Sequence, residues 1–265
     1  MDNVKNLQAA PTNVGSMPFM SNQTPFIHYL NIMGIELWQQ RVASQPPSLE
    51  LTSAESASPN HVNTSNMTEI DPPTIAQSET SWPELETNVH ECKACELHQT
   101  RKQAVFGVGD RQATWMIIGE APGADEDQQG EPFVGRAGKL LNAMLYALKL
   151  PRESVYIANI LKCRPPDNRT PTQDEMVQCS PFLKQQIELI QPKIILALGS
   201  VAAHYLLATD TPIGKLRGQT FTYSDTNIPV VVTYHPAYLL RRPTEKRKSW
   251  QDLQLAIQVL ANHLS

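Results

Sequence analysis

The chain has 265 residues and a formal net charge of −4, but residues 1–83 carry seven acidic side chains against two basic ones, Lys5 and Arg41. The rest holds 20 basic and 19 acidic residues, a balance that neither requires nor excludes nucleic acid, so only a clustering of basic groups can point to it. No apolar run approaches the roughly 20 residues of a membrane span and the first thirty residues lack the layout of a secretion signal; a cytoplasmic protein is expected, in which cysteines serve more often as ligands or catalysts than as disulfides.

Residues 1–83 are dense in Ser, Thr, Asn, Gln and Pro, a composition that buries too little apolar surface to order a backbone. A disordered extension is expected there, followed by one globular domain over 84–265. One stretch departs from the polar background. In FIHYLNIMGIELWQQR, residues 26–41, Phe26, Tyr29, Leu30, Met33 and Leu37 fall at helical spacings. This short helical peptide resembles the N-terminal segment of the psi subunit of the bacterial clamp loader, the part that docks on the chi subunit. The resemblance implies a replisome or clamp-loader partner, with residues 44–82 as a flexible tether.

All four cysteines lie in the domain. Cys92 and Cys95 form C-x2-C, 67 residues follow, and Cys163 and Cys179 form C-x15-C. A C-x2-C turn brings two sulfurs within reach of one metal, and a second pair alongside gives four thiolates, enough for zinc or a cubane iron–sulfur cluster. Thiolate count does not separate the two. The segment between Cys163 and Cys179 contains three prolines and is expected to be a loop ordered by such a clamp.

Four apolar runs punctuate the domain: Trp115–Gly119, Val155–Ile160, Lys193–Gly199 and Pro229–Tyr234. They are continuous instead of alternating, as strands buried on both faces are. Helical patterns lie between them, over Arg136–Leu148, after Thr172, over Ser200–Leu207 and over Trp250–Leu264. Thr172 with Glu175 three residues on has the form of a capping box. Strand–helix alternation predicts an α/β fold, three layers α/β/α around a central, mostly parallel four-stranded sheet. Such sheets bind ligands beyond the carboxyl ends of their strands, and the residues at those ends are Glu120, Asn159, Ser200 and His235.

Four motifs then occur in order: GEAPG at 119–123, EPFVGRAGKLL at 131–141, IANILKCRPP at 157–166 and HPAYLLR at 235–241. With the cysteine spacing, they make the domain similar to the family 4 uracil-DNA glycosylases, the iron–sulfur members of that superfamily, over about residues 84–262. The resemblance implies a [4Fe-4S] cluster on Cys92, Cys95, Cys163 and Cys179. It implies hydrolysis of the N-glycosidic bond of flipped-out deoxyuridine in single- or double-stranded DNA, the opening step of base-excision repair. A monomer without nucleotide cofactor is expected.

The resemblance also gives roles to residues. Phe133 is the ring on which an extruded base stacks, a contact worth about 1–3 kcal/mol. The Asn159 amide pairs with O4 and N3–H of uracil and mismatches cytosine. His235 hydrogen-bonds O2 of the departing base, where negative charge collects. Gly119 and Ala121, with Pro122 and Gly123, leave room for base and phosphate. Ala121 stands where related enzymes carry a water-aligning aspartate, so Glu120 is expected to position water or stabilise the sugar cation, with Asn168 sharing the water. Asp125, Glu126 and Asp127 are expected to form a solvated loop and not to act as catalysts, with one of them able to touch the pocket. No histidine occurs in Arg164–Glu175, where a covalently trapping relative carries one, so ordinary turnover is expected.

Basic residues cluster as a phosphate grip requires: Lys162, Arg164 and Arg169, then Arg241, Arg242, Lys246, Arg247 and Lys248. Leu239 and Leu240 are expected to wedge into the duplex beside the vacated position. The rival expectation is a non-catalytic iron–sulfur DNA-binding accessory protein of replication or repair. The intact set of Glu120, Phe133, Asn159 and His235 weighs against it.

Overall fold

A strand whose side chains are buried on both faces needs cover on both faces, and that requirement builds this domain. The computed structural model describes residues 81–224 and 226–264, so the expected peptide at 26–41 and its tether up to residue 80 lie outside the described residues. In chain order the elements begin with α1 (Trp82–Glu91), α2 (Leu97–Thr100), β1 (Val108–Gly109), β2 (Trp115–Gly119), α3 (Ala124–Gln129), α4 (Arg136–Ala147) and β3 (Tyr156–Asn159). They continue with α5 (Gln173–Ile190), β4 (Ile194–Leu198), α6 (Ser200–Leu207), α7 (Ile213–Leu216), β5 (Thr220–Thr222), β6 (Pro229–Thr233), α8 (Pro236–Arg241) and α9 (Lys246–Leu264). Helix α1 begins two residues before the expected boundary at 84. Trp82 packs on Phe106 and Tyr156, with ring centroids 6.0 and 5.7 Å apart, which ties it to the domain.

The four expected strands pair in parallel in the order β3-β2-β4-β6 and are buried along their whole length. Alternate residues part to opposite faces. Ile117, Ile157, Leu196 and Val231 pack with Leu141, Leu145 and Leu253 of α4 and α9. Met116, Ile118, Ile195 and Val230 pack with Leu183, Ile187 and Leu206 of α5 and α6. The three-layer α/β/α arrangement is as expected, but the sheet has six strands instead of four, because β1 and β5 add antiparallel edges. Val108–Gly109 is too short to carry a periodicity, and both threonines of Thr220–Thr222 are exposed, so neither edge strand had the apolar signature of a buried strand.

Helix α5 opens with the expected capping box: Thr172 Oγ1 accepts from Glu175 N at 3.3 Å, and the Glu175 carboxylate accepts from Thr172 N at 2.8 Å. Cys179 lies inside α5, so the expected loop from Cys163 to Cys179 is irregular only up to Thr172. Pro181 removes one helical N–H, and the Ser180 hydroxyl donates to the Val177 carbonyl at 2.9 Å, occupying the acceptor that proline leaves vacant. Among the described residues, no helix is long and apolar enough to cross a membrane.

Candidate functional site

The parallel strands all end on one side, and β2 is the point from which the chain passes first to β3 and later, on the other side, to β4. Loops diverge at such a point and leave a crevice. A cavity of about 760 Å³ opens there, lined by Glu120, Ala121, Phe133, Asn159, Asn168, Ser200 and His235 among others. The rim residues read from the strand ends therefore share one space.

Phe133 reaches it from a strained backbone, with φ at +55°. Two features hold that geometry. Glu126 accepts from Val134 N at 3.0 Å, Gly135 N at 3.1 Å and Gly123 N at 3.1 Å, so one carboxylate joins the GEAPG turn to the segment after Phe133. Gly138, in the first turns of α4, lies so close that a Cβ would sit 1.8 Å from the Phe133 carbonyl oxygen. The Phe133 ring, 5 % exposed, meets the His235 ring with centroids 5.6 Å apart and planes at 33°.

Asn159 ends β3, opposite Gly119 in the register. Its side chain is buried, and its Oδ1 has no hydrogen-bond partner. A buried polar atom normally has one, and here the missing partner coincides with the cavity wall. A Cβ at Gly119 would stand 2.5 Å from that oxygen and 2.6 Å from Phe133 Cζ. Residue 119 has to be glycine for amide and ring to lie together.

His235 caps α8. Its Nδ1 accepts from Ala237 N at 3.1 Å, which leaves the ring proton on Nε2. Surrounding protein atoms desolvate the ring although it opens on the cavity, and this burial, with Arg241 adding to it, holds the imidazole down to about 4; Glu126 opposes the shift. His235 is thus a neutral imidazole with an N–H to donate. Glu120 follows β2, and burial raises its carboxyl above the ordinary value. Asn168 sits on a left-handed turn with Asp167, and its Oδ1 accepts from Arg164 Nε at 2.7 Å.

Several expectations fail here for stated reasons. Leu239 is 1 % exposed and part of the core, so it cannot enter a duplex; Leu240 beside it is exposed. Lys162 does not face solvent at all. It is 1 % exposed, its Nζ donates to the Asn159 carbonyl at 2.9 Å and to Gln186 Oε1 at 2.7 Å, and burial lowers it to about 8. Asp125, Glu126 and Asp127 lie on helix α3 instead of a solvated loop, and Asp127 is buried, accepting from Lys102 N at 2.9 Å. Arg169 lines the cavity, but both its terminal nitrogens bind Glu175, whose carboxyl that guanidinium holds down to about 2. Arg241 and Arg242 are exposed, and Arg241 lines the cavity.

The cysteines gather elsewhere. Cys92, Cys95, Cys163 and Cys179 all line a second, small cavity, and none is in a disulfide. Three receive N–H donors: Arg101 Nη1 to Cys163 Sγ at 2.9 Å, Lys162 N to Cys179 Sγ at 3.2 Å and Ala94 N to Cys92 Sγ at 3.5 Å. Burial pushes the Cys179 thiol up to about 12 and raises Cys163. Among the described residues, no group of three or more His, Cys, Asp or Glu side chains is disposed to hold a metal ion.

The sequence reading missed Glu126, Gly138 and Arg101 as supports. The glycine left a trace, an isolated Gly inside a helical pattern. Glu126 left one too, three residues after the turn glycine, as in a capping box. Arg101 left none, because its partners lie 9, 11 and 62 residues away along the chain.

Comparison with known proteins agrees with this geometry. The family model of the uracil DNA glycosylase superfamily matches residues 106–254. The type-4 uracil-DNA glycosylase of Archaeoglobus fulgidus is 41% identical over 180 residues, covering 66% of this chain and 90% of the relative. Those of Saccharolobus solfataricus, 43% identical over 181 residues, and Thermotoga maritima, 44% over 162, cover 66% and 60% of this chain and 84% of each relative. A domain with this sheet, this crevice and this span of identity belongs to the uracil-DNA glycosylase superfamily, with type-4 enzymes among its near relatives.

Proposed function

We infer that the chain is a monofunctional uracil-DNA glycosylase that hydrolyses the N-glycosidic bond of deoxyuridine in DNA and leaves an abasic site for base-excision repair. One observation carries the reading: a stacking ring, an unpaired buried amide oxygen and a neutral imidazole with a free N–H line the same cavity. A glycosylase extrudes its target nucleotide from the stack, and a pyrimidine lying on Phe133 gains about 1–3 kcal/mol from the ring. The Asn159 oxygen accepts N3–H of uracil while its amide nitrogen donates to O4. Cytosine offers an acceptor at N3 and a donor amino group, so both contacts turn repulsive, and mismatched buried polar groups discriminate strongly.

As the bond from C1′ to N1 breaks, its electron pair goes to the base and the sugar becomes cationic. His235 Nε2–H donates to O2, where the anion forms. Glu120, half-buried on the cavity wall, offers a carboxylate that favours the cation and orients the water whose oxygen bonds to C1′ as its proton is lost to solvent; Asn168 is the second candidate to hold that water. Phosphates are the expected partners of Arg164, Arg241 and Arg242, with Leu240 beside the vacated position. Phosphate contacts make affinity fall with salt.

The four cysteines fit a [4Fe-4S] cluster. Each iron of a cubane takes one thiolate, and the four cysteines that line one space supply four. Coordination also removes the proton that burial otherwise keeps on Cys163 and Cys179. When bound, the cluster supplies a structural tie for the β3–α5 segment, since hydrolysis transfers no electrons. Residues 26–41 complete the reading as a docking peptide for a clamp-loader or replisome partner of a cytoplasmic, monomeric enzyme, on the sequence resemblance alone. Capture of a replisome or single-strand-binding protein by that peptide tests this part.

The central test is release of free uracil from oligonucleotides by the wild type beside Asn159→Asp and His235→Ala. Wild-type release, strongly reduced in both variants, supports the reading, and no release by iron-loaded wild type overturns it. Iron and sulfide analysis tests the cluster separately: zinc in an active, colourless protein would refute it.

A further inference from the structure

Asn159 has a difficulty that its own side chain does not solve. Its Oδ1 lacks a partner, so the direction of the amide depends on how the backbone beneath it is held. Lys162 holds that backbone. Its ammonium donates to the Asn159 carbonyl at 2.9 Å and, on the other side, to Gln186 Oε1 at 2.7 Å. Gln186 is fully buried and donates in turn to the Phe106 carbonyl at 2.9 Å and the Tyr156 hydroxyl at 3.1 Å. The Lys162 backbone is fixed as well: its N–H donates to Cys179 Sγ at 3.2 Å and its carbonyl accepts from Val105 N at 2.7 Å.

A lysine at 1 % exposure is rare unless paired. Lys162 forms no ion pair with a carboxylate among the described residues, and both its hydrogen-bonded acceptors are neutral. A methionine would fill the space without the cost of burying a charge. Lys162 stands between the cysteine cavity, which it lines and meets through its backbone N–H to Cys179, and the strand end that carries the base-selecting amide, whose carbonyl its ammonium holds.

We propose that Lys162 is a positioning residue for uracil recognition: a buried strut that links the cluster-bearing cysteines to the Asn159 peptide and so aims the Asn159 amide. The proposal rests on the glycosylase reading and on the cluster reading above. Lys162 touches no substrate; it acts through Asn159, with Gln186 as its abutment.

The test uses the full chain with its iron–sulfur cluster and two near-isosteric variants, Lys162→Met and Gln186→Met. Binding of free uracil is read by ligand-observed NMR at a temperature well below unfolding, beside iron content, melting temperature and the split between KM and kcat. Both variants are expected to bind uracil about tenfold more weakly, the scale of one lost buried hydrogen bond. KM should rise more than kcat falls, and the double variant should be no worse than the worse single one, since both act through one strut. Lys162→Arg, which keeps the charge, is expected to recover part of the affinity. Lower melting temperatures with unchanged uracil binding in both variants would overturn the proposal, as would strictly additive losses. If Lys162→Met fails to fold, Gln186→Met with normal iron and unchanged uracil binding overturns it alone. Wild type that neither releases nor binds uracil refutes the glycosylase reading itself, a different outcome from intact wild type with unaffected variants.

Discussion

Replacing Gly138 with alanine sets two effects against each other, and the structure says which wins. In an open helix interior Gly→Ala stabilises by about 1 kcal/mol through helix propensity. At this position the added Cβ would stand 1.8 Å from the Phe133 carbonyl oxygen and 2.1 Å from its carbon, whereas real Cβ atoms essentially never approach closer than 3.0 Å. Both opposing groups are backbone, so no rotamer change relieves the clash, and helix α4 and the Phe133 loop must part by about 1.2 Å. Overpacking of that kind costs about 1–3 kcal/mol, enough to erase the propensity gain. The loop that moves carries the stacking ring, and a misplacement near 1 Å costs about 10²-fold in rate. Gly138→Ala is therefore expected to melt below wild type and to lose about two orders of magnitude in kcat/KM for uracil release. Gly214→Ala, on the short helix α7 with nothing within 4 Å of the new atom, is the control: it should keep wild-type kcat/KM and melt at or above wild type, by up to about 1 kcal/mol. A Gly138→Ala protein that melts above wild type and keeps its kcat/KM would refute the close approach and the placement of Phe133 built on it.

Removing the O2 donor in His235→Ala should lower kcat by about 10²–10³-fold with little change in KM; an unchanged kcat rules out the donor role. The acid limb of the pH–rate profile should come from Glu120, whose pKa burial raises: kcat falls as pH drops through that raised value, and Glu120→Gln is slower but flat over the same range. His235 stays neutral in the fold down to about 4, whereas in the unfolded chain it takes up a proton near about 6.5. Stability should thus decline as pH falls from the upper value to the lower, and urea melts of His235→Asn should show a shallower slope. Leu239→Ala is expected to cost about 2–5 kcal/mol in denaturant melts. Leu240→Ala should leave the melts unchanged and reduce excision from double strands more than from single strands; equal effects on both substrates would remove the wedge.

The sequence reading succeeded where the physics is local. Trp115–Gly119 and Ile194–Leu198 are apolar without interruption because each lies between two helical layers, and the rule that ligands gather at strand ends then placed Glu120, Asn159 and His235 together. It failed where identity and environment part company. Lys162 reads as a surface cation because lysine normally is one, yet the apolar residues on its N-terminal side and the cysteine after it carry it inside. Leu239 and Leu240 are adjacent and chemically identical, and only the phase of a six-residue helix sends one into the core and the other to solvent. The edge strands were silent because two or three residues make no pattern. The tautomer of His235 was equally hidden, since it depends on one bond to the backbone two residues on.

The spacing of the Phe133 and His235 rings limits how a base enters. A pyrimidine slipped between two ring faces needs about 7 Å of clearance, twice the ordinary carbon–carbon contact, and these centroids are 5.6 Å apart. Intercalation between them is closed. A base that stacks on Phe133 is therefore held on one face of the ring only and meets the imidazole with its edge, the edge on which uracil carries its oxygen O2.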